Sequence, residues 1–137
     1  MTTSNDADLL LAVLVQASNS SADPDTSVSI TLTVGGLVVC GDLVPAWVWL
    51  REVRGLLSEG SGTGADGMAH VFGMLADDAL GDALIRDATD SLEDEDAPAQ
   101  ALPTTIHLAR AGVLGAHHHQ ELAGGLWRGR LSHVTGW

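Results

Sequence analysis

The sequence contains no lysine and no tyrosine, and only one phenylalanine and one cysteine. Without lysine, six arginines face eighteen acidic residues, and the formal charge is −12 at neutral pH. Such a surface repels phosphate backbones and anionic bilayers unless the arginines gather on one face, so generic nucleic-acid or membrane binding is disfavoured. A lone Cys40 forms neither an intrachain disulfide nor a multi-cysteine zinc site. This thiol usage fits a cytoplasmic protein with Cys40 packed in the core. Long apolar runs are also missing: Leu9 to Val15 falls far short of the roughly 20 residues of a membrane span. Met1 to Asp8 carries no basic stretch of the kind that opens an export signal. The expectation is a soluble, unexported protein.

What is present points to one folded unit. A chain of 137 residues has single-domain length, and a fold of that size buries about two-thirds of its unfolded surface. Hydrophobic residues make up 45% and mean hydropathy is +0.18, so a real core is available. It must be aliphatic, with Trp47, Trp49, Trp127, Trp137 and Phe72 supplying the aromatic bulk.

The segment "NDADLLLAVLVQAS" offers Ser4, Asn5 and Asp6 as N-caps and sets Leu10, Val13, Leu14 and Ala17 at helical spacing, predicting an amphipathic helix over 5–18. After the turn chemistry of "NSSADPD", "SVSITLTV" alternates: Val28, Ile30, Leu32 and Val34 on one face, Ser27, Ser29, Thr31 and Thr33 on the other. Gly35-Gly36 reads as a two-residue hairpin turn into "LVVCGDLV", where Gly41 suggests a bulge or a close backbone approach. Pro45 suits the first turn of a helix running to about Leu57, completing a unit over 26–57.

Residues 58–102 read as an acidic, partly flexible insert, with ten of the eighteen acids between 66 and 96. Residues 58–66 and 93–98 are predicted to be its mobile loops, and Ala69 to Leu92 leans helical despite Gly73 and Gly81. The spelling "GTGADG" matches a dinucleotide-binding fingerprint, but that motif needs a strand before it, and here a helix precedes. A plain linker is the better reading. Order returns over 103–137. "PTTIHLARAGVL" alternates as a strand, "GAHHHQELAGG" reads as a turn or short loop, and "LWRGRLSHVTGW" closes as a last strand in which Val134 breaks the alternation as a bulge would.

No enzyme emerges from the polar residues. His117, His118 and His119 are adjacent in a loop, whereas a metal site wants ligands converging from fixed elements, so a solvated loop is the better reading. His107 and His133 could meet across a sheet and titrate near neutrality, although packing at a strand pair explains them more simply. Cys40 lacks the local signature of a nucleophile. The acid pairs Asp77-Asp78 and Glu93 to Asp96 lie in an exposed run that does nothing to separate their pKa values. No catalytic, cofactor or metal residue is assigned.

The remaining candidates are Trp49, Trp137, Arg128 and Arg130. Trp and Arg are enriched at binding hot spots. Trp47 and Trp127 are expected to plug the core. Alternation puts Trp127, Gly129 and Leu131 on one face of the last strand and Arg128 and Arg130 on the other, as a contact for a carboxylate partner or as internal partners of the acidic insert.

The order of segments, "ITLTVGGLVVCGDLVP", a helix, a variable middle, "IHLARA" and "WRGRLSHVTGW", with the "IHL" strand and the ending from "WRGRL" to Gly136 as the most specific pieces, resembles the gas vesicle accessory protein U family over roughly residues 9–57 and 103–137. The resemblance implies a non-enzymatic cytoplasmic protein, associated with gas vesicles, acting by contact with vesicle structural or accessory proteins in assembly, size control or vesicle interaction. The same order also resembles the Sm-like small barrel, five bent strands after an N-terminal helix, a fold that forms rings and often binds RNA. The expected fold is therefore α+β, a small, strongly bent antiparallel sheet or Sm-like barrel with an N-terminal helix and a helical acidic insert, able to form homo-oligomers. The rival functions are an Sm-like nucleic-acid-binding module and, behind it, a small His-dependent metal enzyme.

Overall fold

The computed structural model describes residues 8–60, 63–90, 102–115 and 119–137, without the side chains of 63, 87–90 and 123. Asp8 starts the first helix, α1 (Leu9–Asn19), where its carboxylate accepts the N–H groups of Leu10 and Leu11 at 2.9 and 3.2 Å. The buried stripe of α1 is Leu11, Ala12, Val15 and Ser18. The predicted stripe is corrected: Leu10 and Val13 are 71% and 50% exposed, Ala17 is exposed, and Leu14 is half-buried. From Leu9 to Val15 every residue is apolar, so spacing alone cannot choose a face. Docking onto Leu32, Leu108 and Leu131 does.

β1 (Val28–Val34) and β2 (Leu37–Leu43) form the predicted hairpin, in register from Val28 opposite Leu43 to Val34 opposite Leu37. Gly35 and Gly36 have φ of 55° and 82°, the paired left-handed conformation of a type I′ turn. The expected bulge lies on the facing strand β3 (Thr105–Leu114), where Arg110, at φ 50°, and Ala111 together stand opposite Gly41. Both expectations for Gly41 hold, since a Cβ there would come within 3.1 Å of the Ala109 carbonyl oxygen.

Pro45 precedes α2 (Ala46–Ser58) and offers no capping side chain; the Asn19 side-chain oxygen at the end of α1 accepts the Ala46 N–H at 2.9 Å instead. α3 (Thr63–Asp90) starts earlier than predicted and runs through Gly64, Gly67, Gly73 and Gly81, so residues 63–66 are helix and not loop. Each glycine costs a helix up to about 1 kcal/mol, but packing along α2 overrides propensity, and Arg54 lies 3.1 Å from where a Gly73 Cβ would be. Gly64 and Gly67 of the "GTGADG" spelling thus sit in a helix that follows another helix. The predicted loop at 93–98 lies outside the described residues.

The C-terminal segment differs from a single bulged strand. β5 (Trp127–Arg130) and β6 (Val134–Gly136) are separated by a 3-10 turn at Leu131–His133, whose buried Leu131 donates its N–H to the Thr104 carbonyl at 2.9 Å. Part of the predicted "GAHHHQELAGG" loop is also strand, β4 (His119–Glu121). Backbone pairing with Gly112 to Leu114 decides this, a constraint that local turn chemistry does not reveal.

Among the described residues the fold is α+β, three helices and a six-stranded antiparallel sheet of order β4-β3-β2-β1-β6, with β5 also beside β3. The sheet does not close, since β5 and β6 make no pairing with each other. Its inner face meets α1 in a core of Leu11, Val15, Leu32, Val39, Leu43, Ile106, Leu108 and Leu131. On the outer face, the α2–α3 hairpin covers β3 through Val44, Trp47, Val48, Ala83 and Ala109. Cys40 is only partly buried, its thiol 3.7 Å from the Gly112 carbonyl oxygen. No described helix is long and apolar enough to cross a membrane.

Candidate functional site

Cross-strand register sorts the closing strand into two faces. Leu108 opposite Trp127 and Ile106 opposite Gly129 point into the inner core; His107 opposite Arg128 and Thr105 opposite Arg130 point outward. Trp127 is half-buried against that core, and its ring lies across Gly129, where a Cβ would be 2.3 Å from Cη2. Gly129→Ala is therefore expected to displace the ring and cost about 1–3 kcal/mol. A denaturation midpoint equal to the wild type would show that the ring moves freely.

On the outward face His107 is 7% exposed, covered by the Trp49 ring of α2 at 5.1 Å between centroids. Burial, and secondarily the Arg128 charge, lower its pKa to about 4, so the imidazole is neutral at pH 7. Its Nε2 accepts the Arg128 Nε–H at 3.2 Å, which puts the ring proton on Nδ1. That Nδ1 and the Trp49 Nε1 are both buried without a partner. Arg128 and Arg130 are exposed, and neither forms an ion pair among the described residues. The acidic-insert alternative thus finds no contact among the described residues; Arg128 is held by a histidine.

The structure brings Trp49, His107 and Arg128 together, with Arg130 on the same strand face, and leaves Trp137 apart. Trp137 follows β6, 52% exposed, and hydrogen bonding from its side chain is the main cause that lowers the Asp8 pKa at the start of α1. His133 is exposed in the 3-10 turn and does not meet His107. His117 and His118 lie outside the described residues, His119 is exposed in β4, and no group of three metal-ligating side chains occurs among the described residues. His107 is the residue that sequence reasoning missed as a partner of Arg128. Their outward phase was readable in each strand, but not which strands pair.

A surface cleft of about 280 Å³ is lined by Arg110, Ala111, Glu121, Leu122, Gly124 and Gly125. Arg110 Nε–H donates to Asp42 across β2 and β3, the main cause that lowers the Asp42 pKa. This lining contains no nucleophile paired with a base.

An acidic α+β protein with a two-arginine strand face beside a tryptophan and a buried neutral histidine has the chemistry of a contact surface. Compared with known families, residues 8–137 match the gas vesicle protein GvpU-like family. The chain belongs to that family. No curated protein and no solved structure matches it.

Proposed function

We propose that this protein is a gas vesicle accessory protein that acts in the cytoplasm by protein–protein contact, without catalysis, in vesicle assembly, size control or vesicle interaction. Family membership supports the vesicle role. The observation that carries the contact is the outward pair Arg128 and Arg130, free of any acid partner among the described residues in a chain of charge −12. A carboxylate-bearing partner is attracted there and repelled by most of the remaining surface, and guanidinium groups bind it in bidentate fashion. Trp49 backs this face through His107; Trp137 would serve a separate edge.

The fold is read as one unit over 1–137, with 58–102 inserted between the hairpin-plus-helix and the closing strands. β5 and β6, one 3-10 turn apart on different edges of the sheet, support the small-barrel likeness and leave edges through which copies could associate. The charge supports a protein partner over RNA.

Flotation with purified gas vesicles tests the contact. Arg128→Ala with Arg130→Ala is expected to reduce the protein carried up with the vesicles by about tenfold. Arg130→Ala alone should leave stability within about 0.5 kcal/mol, whereas Arg128→Ala should cost about 1–2 kcal/mol because the His107 Nε2 acceptor is left unpaired. Undiminished flotation of the folded double variant would place the contact elsewhere.

A further inference from the structure

The two tryptophans of α2 end their indole N–H groups differently. Trp47 Nε1–H donates to the Ser21 carbonyl at 2.8 Å, as a buried indole ordinarily does. Trp49 Nε1 is buried as well, yet has no acceptor among the described residues. The imidazole against which Trp49 packs carries a second such donor: with its Nε2 accepting the Arg128 Nε–H, His107 keeps its proton on Nδ1, which is also buried and unpartnered among the described residues. Neither group satisfies the other, because both donate. Leaving a buried donor without an acceptor costs a fold more than an average hydrogen bond contributes. A phenylalanine at position 49 would cover the imidazole without that cost, so covering alone does not account for the indole nitrogen.

His107 joins this indole to the exposed arginine. Trp49 covers its ring at 5.1 Å between centroids, and Arg128 bonds its edge at 3.2 Å. Because the Arg128 Nε–H is engaged there, the guanidinium presents its terminal Nη1 and Nη2 groups, which form no ion pair among the described residues. Trp49 is half-buried, so its ring already reaches the surface although its nitrogen does not. We infer that Trp49 is a hinged second donor of the arginine face: when a partner's carboxylate docks on the Arg128 Nη groups, the indole turns outward and its Nε1–H takes an acceptor oxygen of the same acidic segment. The inference rests on Arg128 and Arg130 being the carboxylate contact, and adds to them a neutral donor that an arginine pair lacks. Turning also opens His107 Nδ1 to water, so both missing bonds are made in one step. Rotamer changes of this kind are common where interfaces form, and tryptophan beside arginine is the composition of a binding hot spot.

The test uses the full chain, a short glutamate-rich peptide and the indole N–H resonances of an isotope-labelled sample, with Trp49→Phe identifying the Trp49 signal. On addition of the peptide the Trp49 signal is expected to move downfield, while that of Trp47, already bonded to Ser21, stays in place. Trp49→Phe is expected to unfold at a denaturant midpoint no lower than the wild type, since an unsatisfied donor is removed. The same variant should bind the peptide, and float with gas vesicles, about tenfold more weakly. Should the smaller ring lower the stability, the movement of the Trp49 signal in the wild type decides by itself. Wild-type flotation of Trp49→Phe, beside lost flotation of Arg128→Ala with Arg130→Ala, overturns this inference alone. Undiminished flotation of the double arginine variant overturns the arginine contact and the inference with it. The inference also fails if the peptide does not bind, if it binds without moving the Trp49 signal, or if inorganic phosphate moves that signal at a lower concentration than the peptide does, the mark of a phosphate-bearing partner.

Discussion

Trp47→Ala is expected to lower the unfolding free energy by about 3–5 kcal/mol, the range for a buried aromatic cut back to a methyl. Trp47 is 2% exposed and joins three parts of the molecule. Its indole N–H donates to the Ser21 carbonyl beyond α1 at 2.8 Å, its ring packs among Val44, Val48, Ala83 and Ala109, and the Arg51 guanidinium stands 4.7 Å from the ring centroid. Truncation opens a cavity between α2, α3 and β3 and orphans the Ser21 carbonyl. Trp127→Ala should cost less, about 2–3 kcal/mol, because its ring is only half-buried. Chemical denaturation of both variants measures the order; a larger loss at Trp127 would mean that the inner core, not the α2–α3 cover, holds the fold.

His107 sets the second large effect, a loss of stability on acidification. Its folded pKa, about 4, is depressed below the ordinary 6.5, so the unfolded chain takes up its proton first as pH falls. The contribution is fully present above about pH 6.5 and disappears progressively toward pH 4, roughly 2–4 kcal/mol across the window. Asp42 and Asp8, whose folded pKa values are also lowered, act at the lower end: their contributions are present above the ordinary carboxylate range and are lost as pH falls through and below it. Urea titrations from pH 7 to 4 should therefore show a steady decline that His107→Gln flattens, whatever the absolute stability of that variant. An undiminished slope in the variant would assign the decline to other groups.

The hairpin and α2 were legible because their signals are local: alternation from Ser27 to Val34, two glycines at the turn, and Pro45 at the helix start. α1 was legible as a helix but not in its orientation, because an all-apolar run has no face until the sheet selects one. α3 was legible from Ala69 onward despite Gly73 and Gly81, but its first turn hid behind Gly64 and Gly67, since local cost predicted a loop where packing on α2 maintains a helix. In the candidate site, alternation placed Arg128 and Arg130 on one face and Trp127 with Gly129 on the other; that the Trp127 ring lies across Gly129 needed the fold. The bond to His107 and the cover by Trp49 depend on β5 lying beside β3 and on α2 crossing above, contacts between distant segments that no local pattern encodes.

The pairing of β6 with β1 has a consequence for the newborn chain. Thr135 donates its hydroxyl to the Thr33 carbonyl across 102 positions of sequence, and Leu131 is buried in the same core as Leu11 and Leu32. Loop closure over such a span adds only about 0.6 kcal/mol per doubling of length, so the cost to stability is small. The cost in time is larger: at about 5–20 residues per second, the ribosome needs roughly 5–20 s after finishing β1 to deliver the strand that covers its edge. Throughout that interval α1 and the first hairpin exist without their last partner, and the growing polypeptide presents its most apolar segments to whatever waits at the tunnel exit.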